Sequence, residues 1–380
     1  MAKASGRVLS APLLSPRPVP AFDNAAVDGY AFAATSQAAT GKSRLTLAEG
    51  RAAAGHPADE CVAPGRAIQV LTGAVMPAGT DTVAMNEEVA VEAGSVVRAR
   101  PLRPGSNRRR AGEDIAAGQS LFTAGLVLGP RQIGVAAELG LAELPVYRRL
   151  RVALLSSGDE LTEPGRPLPE GGIYDANRYM LRALLRHLPV SVADLGVLGD
   201  TAAAVEPAIL DAARRHDVVL TSGGASKGDE DHVVRTVERH GRLDFWEIAM
   251  KPGRPLAFGR LADAVTIGLP GNPVAAAVCF MRFARPVIAR LAGAAWMEPR
   301  AFVVPAAFTL QKKPGRTELL RVRLVDARDG PEAELIRRQG SGILTSLTEA
   351  DGLVEVAPET TVIRQGDPVR FLSFAELGAR

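Results

Sequence analysis

The 380-residue sequence is 47% hydrophobic and 23% charged, which supplies a sizeable core divided among about two to four domains. Its 45 Lys and Arg against 42 Asp and Glu, with aromatics at 4%, exclude the basic, aromatic-interleaved face of a nucleic-acid binder. Cys61 and Cys279 have no CxxC or His partner at ligand spacing, which excludes a disulfide framework or zinc site and predicts a reducing, cytoplasmic compartment; no h-region follows Met1, and the apolar stretch 274–280 ends too soon to span a membrane.

Residues 1–148 read as irregular, mainly β structure dense in Gly and Pro, with strands at 45–48, 67–71, 82–85 and 96–99. The phrase P-A-F-D-N-A-A-V-D-G-Y carries Asp23, Asn24 and Asp28, which Asx turns alone could explain. Downstream stand Thr72-Gly73-Ala74 and then G-S-N-R-R-R-A-G-E-D. In that loop Arg108 and its neighbours offer donors to an oxyanion, and Glu113 and Asp114 offer carboxylates to a metal.

From Arg151 strands and helices alternate, the pattern of an open parallel sheet covered on both faces. Strands are expected at 151–155, 190–195, 217–221, 245–250, 256–258 and 264–268. Helices are expected at 177–187, 202–215, 231–240 and 273–291, the last with Asn272 as N-cap, Pro273 in its first turn and a kink at Pro286. The polar phrases S-S-G-D-E with Glu160, Gly199-Asp200, 222–231, K-P-G-R-P with Lys251 and Arg254, and Pro270-Gly271-Asn272-Pro273 all follow strand ends. In an open α/β sheet that edge is the ligand crevice.

The stretch D-V-V-L-T-S-G-G-A-S-K-G-D-E-D organises this edge. A short buried strand runs into a loop of Ser222, Gly223, Gly224, Ser226 and Gly228, whose small residues let backbone N–H groups approach an anion. Acidic residues ending at Asp231 then precede a helix start. G-A-S-K-G also spells a serine-hydrolase elbow, but no helix follows at once and no His lies beyond His240. The five histidines have no mutual metal spacing and receive no chemistry.

Eight phrases in unbroken order, P-A-F-D-N-A-A-V-D-G-Y, T-G-A-x-M-P-x-G-x-D-T-V, N-R-R-R-A-G-E-D-I, V-A-L-L-S-S-G-D-E-L, I-Y-D-A-N, T-S-G-G-A-S-K-G-D-E-D, K-P-G-R-P and G-L-P-G-N-P, resemble the MoeA family, which includes the C-terminal domain of gephyrin. The resemblance covers nearly the whole chain. It implies a multidomain α/β protein with an elongated β-rich region at 1–148 carrying an inserted β domain, a doubly wound molybdopterin-binding domain at 149–298 and a β-barrel-like domain at 299–380. The implied activity is insertion of molybdate into adenylylated molybdopterin with Mg²⁺-dependent release of AMP.

Under that resemblance Ser222, Gly223, Gly224, Ser226, Arg254, Pro270, Gly271 and Asn272 would hold the pterin and its phosphates, with Thr72 and Arg108 contributing. Asp200, Asp231 and Glu160 would bind Mg²⁺, joined by Asp28 and Asp114 from a partner subunit. Lys251, Arg316 and Ser341 would receive molybdate, the last two in trans across a homodimer, and a molybdopterin adenylyltransferase would be a pathway partner. The sequence departs from the family at Glu247, where Lys is frequent, at Lys227 and at Gly342, and it starts near G-R-V-L at Gly6, where the family usually carries an upstream helix. Lys227 is expected to compensate Glu247. A non-catalytic binder of molybdopterin or molybdenum cofactor is the alternative reading, and an adenylyltransferase or nucleotide hydrolase a further one.

Overall fold

Alternating apolar runs build the central sheet of the computed structural model, which describes residues 1, 3–224, 231–296 and 298–379. The strand Leu150–Ser157 shows the logic. Val152 and Leu154 point to one face and pack with the helices Ala176–Leu185 and Pro273–Cys279, while Ala153 and Leu155 point to the other and pack with Ala202–Arg215 and His232–His240. Helices therefore cover both faces.

The six strands run in the order Val190–Leu198, Leu150–Ser157, Val218–Ser222, Ala264–Leu269, Pro255–Leu261, Arg242–Glu247. The sheet is mixed rather than wholly parallel, because Pro255–Leu261 pairs antiparallel with both neighbours. Only Ala262 and Asp263 separate it from Ala264–Leu269, with Ala262 at φ 51°, and so short a link can join only antiparallel strands.

The long helix continues from Pro273–Cys279 through a π turn at Phe280–Ala284 into Arg285–Leu291. Pro286 has no N–H to donate, and the preceding turn slips so that Arg285 N–H bonds the Phe280 carbonyl five residues back. The expected kink is taken up as this slip.

By chain contacts there are two compact units. Met1–Ala11, Ala124–Pro130 and Leu144–Arg380 form the larger, and Pro12–Thr123 with Arg131–Glu143 the smaller. In the larger, Thr317–Ala327, Gly352–Val356, Pro368–Ser373 and Phe302–Pro305 form a sheet with Gly330–Leu335 beside the first of them. The Ala306–Ala333 bridge brings the two ends round, which gives the barrel-like closure. The two-residue strand Met250–Lys251 joins this sheet, parallel to Thr317–Ala327.

In the smaller unit a six-stranded sheet runs Thr82–Met85, Gly29–Phe32, Arg66–Val70, Ser43–Ala52, Ser95–Arg98, Val89–Glu92. No helix of the described residues is long and apolar enough to cross a membrane.

Candidate active site

The sheet steps outward in two directions from Leu150–Ser157, to Val190–Leu198 on one side and Val218–Ser222 on the other. Such a switch opens a crevice at the carboxyl ends of the two central strands. A cavity of about 610 Å³ lies there, lined among others by Ser157, Glu160, Tyr174, Asn177, Ser222, Gly223, Pro270, Gly271, Asn272 and Gly342.

Gly223 is required by close approach. Its φ is 89°, and a Cβ would sit 2.4 Å from the Ser157 carbonyl oxygen. Its N–H, expected to face an anion, instead donates to the Leu269 carbonyl at 3.1 Å. Gly224 is equally constrained, at φ 65° with a Cβ position 2.7 Å from Val233. Ser226 and Lys227 lie outside the described residues.

Asn177 ties the crevice walls together. Its Nδ2 donates to Ser222 Oγ at 2.9 Å and to the Gly271 carbonyl at 2.6 Å. The helix that carries it is capped by Asp175, whose Oδ1 accepts from Arg178 N at 3.1 Å. Arg178, buried, donates to Asp175, Asp194 and Glu163, and so ties the segment bearing Tyr174 to the sheet.

Asp200 is oriented rather than spent as a cap. Thr201 caps the Ala202–Arg215 helix, while Asp200 Oδ1 accepts from Ser157 Oγ at 2.7 Å and its N–H bonds Asp159 Oδ1 at 2.8 Å. Asp231 stands at the N-cap position of His232–His240 without a side-chain capping bond. Among the described residues no three Asp, Glu, His or Cys side chains converge, so Glu160, Asp200 and Asp231 are not a preassembled triad.

The expected oxyanion cations are engaged within the chain. Lys251 Nζ lies 3.4 Å from both carboxylate oxygens of Glu318, and Arg254 donates to Glu247 Oε2 through Nε at 3.0 Å and Nη2 at 2.8 Å. Glu247 is thus compensated by Arg254, seven residues on, whatever Lys227 contributes. Arg316 is exposed.

Ser341 reaches the crevice in cis, which corrects the expectation that a partner subunit must present it. Its carbonyl accepts the Val274 N–H at 3.0 Å, at the start of the long helix, and Gly342 lines the cavity. The physical reason is the pairing of Met250–Lys251 with Thr317–Ala327, which stitches the C-terminal sheet to the K-P-G-R-P segment of the same chain. Asn272 occupies the N-cap position without a side-chain bond, its expected role being met by Ser341.

In the smaller unit Asn24–Ala25 pairs with Arg108–Arg109, so two distant phrases meet. Arg108 lies 3.4 Å from Asp23, and Thr72 donates both its N–H and its hydroxyl to Asp28 Oδ1 at 2.7 Å. The Thr72 hydroxyl, then its N–H, hold the Asp28 carboxyl below its ordinary range. Asp114 is exposed in the same unit.

Over residues 1–140 the chain matches the MoeA N-terminal region (domain I and II), over 153–290 a probable molybdopterin binding domain, and over 303–374 the MoeA C-terminal region (domain IV). The chain belongs to the MoeA family. It is 38% identical to the molybdopterin molybdenumtransferase of Haemophilus influenzae, over 99% of this chain and 93% of that protein. It is 34% identical to molybdopterin molybdenumtransferase 2 of Mycobacterium tuberculosis, over 96% and 92%. The crystal structure of the molybdopterin biosynthesis MoeA protein from Pyrococcus horikoshii matches with a TM-score of 0.85 at 29% identity, covering 98% of this chain and 93% of that one. The multidomain α/β fold expected of a MoeA protein is borne out.

Sequence reasoning on this MoeA chain put Ser157 on the crevice edge without a role and missed Tyr174 and Asn177 as crevice residues. The I-Y-D-A-N phrase was the available signal. An Asn in a first helical turn reads locally as a capping residue, and its bond to Gly271 spans 94 positions.

Proposed function

We propose that this MoeA-family chain is a molybdopterin molybdenumtransferase, which inserts molybdate into the dithiolene of adenylylated molybdopterin as AMP leaves. The observation that carries this reading is the crevice at the topological switch, with Asn177 bridging its walls and Ser157 holding Asp200 beside it. The full-length likeness to proteins named for this activity supports it.

The residues present fit a divalent cation. Mg²⁺ takes hard oxygen donors, commonly one or two carboxylates with substrate phosphates and water completing the shell, and the single oriented carboxylate of Asp200 suits that need. Asp200 would hold it, its Oδ1 already fixed by Ser157, with Asp231 and Glu160 adding negative charge. When bound, Mg²⁺ supplies charge neutralisation at the phosphoanhydride. Ser222, Asn177 and the 270–272 loop orient the pterin and its phosphates. Lys251, Arg254, Arg316 and Ser341 receive the molybdate dianion as substrate. Asp28 and Asp114 of a partner subunit complete the reading, which therefore takes the protein as a homodimer supplied by a molybdopterin adenylyltransferase.

Mixing the purified chain with adenylylated molybdopterin, Mg²⁺ and molybdate tests the proposal. AMP should appear only when all three are present. Ligand binding without AMP would instead identify a carrier or sensor, and light scattering that gave an active monomer would remove the homodimer.

A further inference from the structure

Arg321, on the strand Thr317–Ala327, is 1% exposed, and its guanidinium donates to neutral oxygens. Nε bonds Ser346 Oγ at 3.1 Å, and Nη2 bonds the carbonyls of Arg338 at 3.3 Å and Gly340 at 3.2 Å. Burial pushes the group down to about 10, so it remains a cation at neutral pH. Burying a charge is costly unless its donors are well used.

These bonds all hold one loop. Gln339 grips the Arg321 backbone, accepting its N–H at 3.1 Å and donating to its carbonyl at 2.8 Å, and Ser346 donates onward to the Ile343 carbonyl at 2.6 Å. Between these points the loop runs out to the crevice. Ser341 directly follows the clamped Gly340, its carbonyl accepts the Val274 N–H at 3.0 Å, and Gly342 lines the cavity. Val274 lies in the first turn of the long helix, where N–H groups have no acceptor within the helix, so the Ser341 carbonyl is what protects this one.

We propose that Arg321 is a positioning residue of the crevice: its buried guanidinium fork holds the 338–346 loop in the arrangement that seats Ser341 against Val274 and Gly342 in the crevice wall. This deepens the reading of the crevice as the transferase site and rests on it. The fork suits the task. Its nitrogens lie in one plane at fixed angles, so a grip on Ser346 and on two carbonyls fixes the loop's spacing as well as its attachment, which the single ammonium of lysine cannot do. Loosening the clamp lowers the fraction of molecules whose crevice wall is in place. Apparent affinity falls by that fraction, while saturating substrate draws the loop back and restores turnover.

Arg321→Lys in the full chain tests this by amide hydrogen exchange and by AMP release from adenylylated molybdopterin with Mg²⁺ and molybdate. Exchange should quicken about tenfold at Val274 and over 338–346, and keep its parental rate over Leu150–Ser157 and Gly352–Val356. The KM for adenylylated molybdopterin should rise about tenfold, with kcat within about twofold of the parent. Ser346→Ala removes one acceptor; it should give the same pattern at about threefold, and it carries the test should Arg321→Lys fail to fold. Unchanged exchange at Val274 and over 338–346 overturns the proposal. So does faster exchange across the whole sheet with a lower kcat and a parental KM, the mark of general destabilisation, and so does local loosening that leaves KM where it was. A parent chain that releases no AMP sinks the transferase reading instead, and exchange at Val274 then decides by itself whether Arg321 holds the loop.

Discussion

Asn177 and Ser222, 45 residues apart in sequence, are joined by a 2.9 Å hydrogen bond between Nδ2 and Oγ, and the same nitrogen holds the Gly271 carbonyl. One side chain thus ties a strand end and the loop before the long helix to the helix that carries it. Asn177→Ala removes a buried bond to Ser222 Oγ and a part-buried one to the Gly271 carbonyl, which together cost about 1–3 kcal/mol. The urea midpoint should fall accordingly, and the KM for adenylylated molybdopterin should rise because the crevice walls lose their tie.

Asp200 separates shape from charge. Asparagine at this position can still accept from Ser157 Oγ through Oδ1, so Asp200→Asn should melt close to the parent temperature. Loss of the negative charge should nevertheless lower AMP release by on the order of 100-fold, as preorganised electrostatic groups commonly do. Elevated Mg²⁺ should recover part of the rate. A variant that binds molybdopterin poorly from the outset would make Asp200 a structural residue instead.

At the opposite edge of the sheet the hydrogen bond from Arg148, helped by Arg151 and its backbone N–H, holds the Asp217 carboxyl well below the usual carboxylate range. A depressed folded value means stability that is whole above the unfolded value, about 3.9, and lost as pH falls through the folded one. The stability gap between parent and Asp217→Asn should therefore stay flat from about pH 8 to 5 and shrink below about pH 4. Both arginines are more than half exposed, so the gap itself should be modest and fall with added salt. Denaturant melts across this range check both features.

Cys279 lies wholly buried under the K-P-G-R-P loop, with Sγ 3.5 Å from the Gly253 carbonyl, and burial pushes its thiol up to about 12. Cys61 is exposed. An aromatic disulfide reagent at pH 8 should titrate one thiol of the two in the native protein and both after unfolding. Fast reaction of the second thiol in native protein would mean that the loop lifts off the helix.

Local pattern carried much of the fold. The β-branched run at Val218–Ser222, the apolar periodicity of Ala202–Arg215 and the Pro and Gly punctuation are properties of neighbouring residues, so these elements were legible without coordinates. So was the gathering of polar phrases at one sheet edge, since strand-to-helix connections leave from the carboxyl ends. The sign of Pro255–Leu261, the cis arrival of Ser341 at Val274 and the choice of Glu318 for Lys251 and Arg254 for Glu247 were not. Antiparallel pairing followed from a two-residue link that a sequence pattern does not distinguish from a loop. The partners of Ser341 and Lys251 were set by the register of two sheets whose pairing residues lie 67 positions apart. Side-chain charge is written in the sequence, but which opposite charge it meets is decided only when tertiary packing brings distant strands together.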